Sequence, residues 1–323
     1  MRVLVSAALT VLVAMSVPQA QNSAHLLVLN KEDATLVFVN PATGDISGRV
    51  PVGDGPHEMV ISSDGRYAFA SNYGGSAPGH TISMIDIRAQ KELRRIDVAP
   101  LQRPHGLAFA AGKLYFTAET NKKVARYDAA ADKVDWEFET GQNATHMVLA
   151  TRDARTLFTS NIASDNISMI QQGADGSWNQ TLIAVGKGPE GIDLSPDGKT
   201  VWTAHSRDGG VSVIDIATRK VVHTIPAGTK RSNRIKLTPD GKLALISDLE
   251  AGDLVVLDVA TMKEARRLTL GRSPEGILLP PGGGQAFVAV TGDNHVAVVD
   301  LKTWQVTKKL QTGAGPDGMA WVP

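Results

Sequence analysis

One phrase returns along this chain at intervals of about forty residues: GPEGIDLSPDGKTVWTAHSRDGGVSVIDIATRKVVHTI, from Gly188, comes back as SPEGILLPPGGGQAFVAVTGDNHVAVVDLKTWQVTKKL, from Ser273. A period of that length restricts the chain to architectures made by stacking one unit, because each unit is too small to bury its own apolar face. Residues that repeat are scaffold. Function has to be sought among the residues that differ from unit to unit.

Within a unit, short apolar runs (IDLS, TVWTA, VSVID, KVVHTI) alternate with turn signals such as SPDGK and DIAT, the pattern of four short strands. Four-stranded units at this period are the blades of a β-propeller. Each opens on Pro or a stand-in, followed two residues on by Gly in most copies: Pro56, Pro104, Ala144, Pro189, Ser232, Pro274 and Pro316. Seven openings mean seven blades. The last has only one strand before the sequence ends at Pro323, and HLLVLN from His25, TLVFVN from Thr35 and ISGRVPV from Ile46 supply the other three. The sequence therefore predicts an all-β, seven-bladed propeller of four-stranded antiparallel blades over 21–323. Its last blade joins 25–52 to 316–323, which closes the ring and removes an open sheet edge.

Ahead of the repeats, residues 1–20 carry Arg2, an apolar run from Val3 to Val17 and small residues up to Ala20. That is the pattern of a cleaved signal peptide, so a periplasmic or secreted protein is expected, with no transmembrane segment in the mature chain. The chain has no cysteine, which excludes disulfides, thiolate metal sites, haem attachment through cysteine and a cysteine-linked quinone. Basic and acidic residues balance at 33 each. The basic stripe that a nucleic-acid partner requires is missing, and none is expected.

The recurring SPDGK, VSVIDIAT, KVVHTI and GPEGI segments resemble the YVTN-repeat, YncE-like seven-bladed β-propellers, over residues 25 to 323. The name-giving tetrad is never intact here: the second strands read YAFASN from Tyr67, LFTSN from Leu157 and VWTAH from Val201. The resemblance implies the fold and a range of roles that includes propeller lactonases and the propeller subunits of quinone-cofactor amine dehydrogenases. No private motif of such a relative is matched, so no catalytic role is carried over.

Many polar residues have a purely structural reading. Asp64-Gly65, Asp197-Gly198 and Asp240-Gly241 suit tight hairpins, and Asp86, Asp215, Asp258 and Asp300 end third strands before short turns. The five tryptophans fall in or beside strands, where burial between blades is expected.

The loops entering strand one and leaving strand two share one face of the disc. The residue after each opening position reads His57, His105, Thr145, Glu190, Asn233, Glu275 and Asp317, with Glu58, His146 and Arg234 one place further on. Strand two ends on Asn30, Asn72, Glu119, Asn161, His205, Asp248 and Thr291. His57, His105 and His146, on consecutive blades, are the candidate ligands of a divalent metal ion, with Glu58, Glu190 or Glu275 completing its shell. Ligand contacts are expected from Glu58, Asn72, Tyr73, Glu119, Arg234, Asp248, Glu275 and Asp317, and the loop 71–80 is expected as an insertion beside them. Two readings follow. One is an exported binding propeller taking a small molecule, peptide or partner protein at this face. The other is a metal-dependent, lactonase-like hydrolase or lyase in which Glu190 or His205 moves the proton.

Overall fold

The computed structural model describes residues 25–323, and the signal peptide read at 1–20 lies outside them. Seven four-stranded antiparallel sheets surround a central channel. Blades I to VI occupy residues 56–97, 104–139, 145–184, 189–226, 232–269 and 274–310, and blade VII combines 25–51 with 316–322. In blade VII the C-terminal strand Pro316–Val322 pairs with His25–Asn30, so the chain ends meet inside one sheet, as the repeat count requires.

Burial explains the composition of each strand. Second strands such as Leu157 to Asn161 and third strands such as Gly210–Asp215 lie between neighbouring sheets and are almost wholly buried. The outermost strands, such as KELRRID and KEARRLT, are mostly exposed and charged, which keeps the rim from pairing with other sheets. Trp202 is buried in the layer between blades IV and V, and Trp136 packs on Trp178 with ring centroids 4.8 Å apart. The aspartates read as structural behave so: Asp64, Asp197 and Asp240 accept from a Ser or Thr two residues back, while Asp86, Asp215, Asp258 and Asp300 accept from backbone amides three residues on.

The pairing register corrects one alignment. Pro104, Pro189, Ser232, Pro274 and Pro316 face the last residue of strand two, Pro56 faces Asn72 two residues before the end of its longer strand two, and in blade III the opening position is held by Thr145, not Ala144. Ala144 instead adopts the left-handed turn (φ 51°) that Gly55, Arg103, Gly188, Ser273 and Gly315 adopt before their own first strands. His146 therefore sits beside His57 and His105 in the same ring, and Thr145 does not belong to it. A second slip concerns strand two: its last residues are Ala118 and Val290 in blades II and VI, so Glu119 and Thr291 lie one residue beyond the strand.

Around the channel, the position after that ring reads Glu58, Gly106, Met147, Gly191, Arg234, Gly276 and Gly318. Each glycine abuts the next blade's backbone. A Cβ on Gly106 would lie 2.6 Å from the Val148 nitrogen, on Gly191 2.7 Å from the Ile235 nitrogen, on Gly276 2.2 Å from the Asp317 carbonyl oxygen and on Gly318 2.3 Å from the His57 carbonyl oxygen. Side chain and glycine alternate so that each bulky residue faces a gap. An odd number of blades forces one place where two glycines meet, and here it is Gly276 and Gly318.

Candidate functional site

The second residues of the seven inner strands, His57, His105, His146, Glu190, Asn233, Glu275 and Asp317, line the channel mouth. Strand-two hydroxyls fix three of them by reaching across to the next blade: Thr117 donates to the His146 carbonyl at 2.6 Å, Ser160 to that of Glu190 at 2.8 Å, and Ser247 to that of Glu275 at 2.7 Å. The same hydroxyls accept from the amides of Gly106, Met147 and Arg234 in their own blades. The inner ring is thus tied together by side chain to backbone bonds rather than by sheet pairing.

These side chains enclose a cavity of about 210 Å³ lined by Lys31, His57, Tyr73, His105, His146, Glu190, Arg231, Asn233, Arg234, Leu249, Glu275 and Asp317. Arg234 and Glu58, from blades V and I, meet as an ion pair across the channel, both largely buried. Arg234 also donates to Asn233 Oδ1 at 3.1 Å, and Asn233 in turn donates to Glu190 Oε1 at 2.8 Å. On the other side Lys31 pairs with Glu275 and lies 3.2 Å from Asp317 Oδ2.

Charges shift as this burial demands. Desolvation lifts the Glu58 carboxyl although Arg234 opposes it, and desolvation with the nearby Asp317 charge lifts that of Glu275 to about 7. Asp317 is also penalised by burial, yet the charges of Lys31, Arg234 and His57 outweigh it and hold its carboxyl below the ordinary range. Burial lowers His57 and, more strongly, His105, so both imidazoles are neutral at pH 7.

The three histidines are brought together, His105 and His146 ring over ring and His57 tilted at 57° to His105. The rings of His105 and His146 have centroids 3.7 Å apart at 30°, and those of His57 and His105 are 5.2 Å apart. His57 Nδ1 is held by the Gly55 carbonyl at 2.7 Å, and His146 Nδ1 lies 3.3 Å from Glu119 Oε1. Among the described residues no group of three His, Asp or Glu side chains is arranged to hold a metal ion. Stacked rings present their faces to one another, whereas ligation needs nitrogens converging on one point, so the expected trio does not fit a metal centre here.

Of the other expected residues, Glu190, Arg234, Glu275, Asp317 and Tyr73 line the cavity. Glu58 and Glu119 support it, the first through Arg234 and the second by accepting from Tyr73 and contacting His146. Three are not brought to it. Asn72 is 2% exposed and bonded to Thr81, Ser83 and the Gly53 amide. Asp248 accepts from the Lys230 and Arg231 amides. His205, expected as a proton carrier, is 1% exposed with Nδ1 2.9 Å from Asp208. Each faces the opening residue of its blade from strand two, where its side chain ties neighbouring backbone and loop groups rather than turning toward the axis. The loop expected over 71–80 is a hairpin: strands Tyr67–Gly74 and Pro78–Asp86 run on to a tight turn, with Gly74 facing Pro78.

Lys31, Arg231, Asn233 and Leu249 complete the lining; Asn233 belongs to the polar ring read from the sequence, whereas Lys31 and Leu249 were not singled out. Lys31, Tyr73 and Leu249 each come one residue after the strand-two residue that faces the first residue of strand one (Asn30, Asn72 and Asp248), so that next position, rather than the facing one, carries the signal. Lys187 and Arg272, each just before a first strand, pair with Asp165 and Asp293.

The sequence profile of the YNCE-like beta-propeller matches residues 111–280, more than half of the chain. The chain belongs to that family. This YNCE-like propeller also resembles solved structures: hydrazine synthase of Kuenenia stuttgartiensis (19% identity, 85% of this chain and 92% of that one, TM-score 0.74), and candidate 6-phosphogluconolactonases of Bacteroides fragilis (17%, 95% and 100%, 0.78) and Bacteroides uniformis (16%, 94% and 100%, 0.76). At these identities the likeness is one of fold. No curated protein matches the sequence. Among the described residues no helix is long and apolar enough to cross a membrane.

Proposed function

We propose that this YNCE-like propeller is an exported protein that binds a small polar ligand in the cavity at the channel mouth. One observation carries the reading: both oxygens of the buried Asp317 carboxylate, and Nδ1 of the buried His105, have no hydrogen-bond partner within the protein. Buried polar atoms are ordinarily paired, and each one left alone costs about 1–3 kcal/mol. A ligand or ordered water that supplies the missing partners recovers that cost. The surrounding ring is polar in all seven blades, and the Glu58–Arg234 pair spans the channel beside the cavity. Export rests on the sequence of residues 1–20.

The test is a thermal-shift screen of small polar metabolites against the wild-type protein and Glu190→Leu, which removes the Asn233 contact and fills polar space with apolar bulk. Hits that raise the wild-type melting temperature and not that of the variant support the site. Hits shared equally by both place binding elsewhere and overturn the proposal.

A hydrolytic reading is favoured by a separate observation, the Glu275 carboxyl titrating at about 7 beside Lys31, a value suited to proton transfer at neutral pH. The lactonase-like neighbours make lactone opening the reaction to try. Hydrolysis of glucono-δ-lactone above the spontaneous rate, lost in Glu275→Gln, supports it; equal rates with and without protein remove it.

A further inference from the structure

Resting on the small-ligand reading, the arrangement of charges inside the cavity narrows the class of ligand. Acceptors and donors alternate around the lining in close pairs: Asp317 beside Lys31 at 3.2 Å, Glu275 bonded to Lys31, Glu190 held by Asn233 at 2.8 Å, and Glu58 paired with Arg234. Every carboxylate that reaches the cavity stands next to a donor. Inside the cavity an anionic ligand meets Glu190 and Asp317, and a cationic one meets Lys31 and Arg234, so either must break a buried pair to gain one of its own; Arg231, the lining cation outside these pairs, is exposed at the rim, where solvent screens its charge.

A hydroxyl group has the opposite property. It donates and accepts at the same oxygen, so it can give its proton to a carboxylate while accepting from the neighbouring ammonium or amide, leaving the pair in place. Asp317 is the place where this matters most. It is 1% exposed, lines the cavity, and its oxygens have no hydrogen-bond partner beyond the ion-pair contact of Oδ2 with the Lys31 ammonium at 3.2 Å. His105 Nδ1, also buried and without a partner, adds a further polar contact on the histidine side. The cavity of about 210 Å³ has room for about seven waters at ~30 Å³ each. A ligand whose hydroxyls take over the positions of those waters keeps their hydrogen bonds.

We propose that the cavity recognises a neutral polyhydroxylated molecule of single-ring size, with Asp317 accepting from one of its hydroxyls and Lys31 donating to the same or an adjacent oxygen. Leu249, the one aliphatic residue of the lining, provides a contact for the carbon skeleton.

Ligand-observed saturation-transfer NMR on the whole described chain, with titration, tests this with five probes. D-glucose and myo-inositol represent neutral polyols, L-glutamate a zwitterionic acid, succinate a dianion and putrescine a dication. The expected result is binding of one or both polyols, weakened at least tenfold in Asp317→Asn and unchanged in Asp240→Asn, a turn residue between strands one and two. Roughly tenfold is the loss expected for one hydrogen bond to a charged group. If Asp317→Asn fails to fold, Lys31→Gln is read in its place with the same expectation. Binding of a charged probe at this cavity, with the polyols inert, overturns the polyol class while leaving a small-ligand site standing. Silence from both polyols, or polyol binding indifferent to both substitutions, overturns the inference outright; the small-ligand reading itself then stands or falls with the metabolite screen.

Discussion

Arg234 and Glu58 are the residues whose removal should be felt most. Arg234 is 5% exposed and shares the channel with Glu58, Asp317, Glu190 and Glu275, the four carboxyls whose charges favour its protonated form. Replacing it with Met leaves those acids without their central cation, and the cost expected for breaking a buried pair from one side is about 3–5 kcal/mol. Glu58→Gln is milder, about 1–3 kcal/mol, because the other three carboxyls still face Arg234. Changing both together removes the mutual dependence, so the double variant should be more stable than the sum of the single losses implies, by about 1–3 kcal/mol. At ~2.1 cal/mol/K per residue over ~300 residues, the Arg234→Met loss lowers Tm by roughly 5–8 °C. Urea unfolding followed by tryptophan fluorescence, with unchanged slope across the set, gives the cycle. Strictly additive losses, or an Arg234→Met protein as stable as wild type, would refute the view that this pair spans and braces the channel.

Three further outcomes follow from the same geometry. Gly191→Ala drives a Cβ to 2.7 Å from the backbone of blade V and should cost about 1–3 kcal/mol, whereas Gly75→Ala, with open space around it, should be within ~0.5 kcal/mol of wild type; equal losses in urea titrations would show that the inner ring tolerates bulk. Removing residues 315–323 deletes the strand that pairs with His25–Asn30 and should yield an aggregating or strongly destabilised protein by light scattering and calorimetry, against a wild-type melt if closure is unimportant. Glu275 is an acid whose folded pKa of about 7 exceeds the 4.5 of a glutamate in the unfolded chain, so the native state holds the extra proton: its contribution is full below pH 4.5 and is lost as pH rises through about 7. Glu275→Gln should flatten that part of the stability–pH curve, and a curve of unchanged shape would contradict the assignment.

The fold was legible because its determinants are local and repeated. Turn pairs such as Asp197-Gly198 and alternating runs such as VSVID mark strands blade after blade, and the half-blade at each terminus makes closure a matter of counting. Register was harder to read where a blade departs from the consensus. Blade III lacks the Pro that opens most others, and the left-handed turn before its first strand falls on Ala144, a residue that does not advertise that conformation as glycine does. The one-residue slip that resulted put Thr145 where His146 stands.

Site residues were legible by position and not by orientation. Side chains on a strand alternate in direction, so His205 and Lys31, adjacent in type of position, part company: the strand-two residue facing the opening residue ties neighbouring groups and the next one turns to the axis. The placement of His57, His105 and His146 on three consecutive blades suggested convergence on a metal. Whether imidazoles stack or converge depends on ring rotation, which for His57 and His146 is set by the Gly55 carbonyl and Glu119, partners that no spacing rule reveals.

A crystal structure of the protein soaked with the strongest hit of the metabolite screen tests the central claim most directly. The account predicts density for the ligand at the channel mouth, within hydrogen-bond distance of Asp317 and Lys31. Density instead in the apolar groove of about 380 Å³ beside Trp202, Val222 and Met262 between blades IV and V, with the channel mouth holding only water, would contradict it.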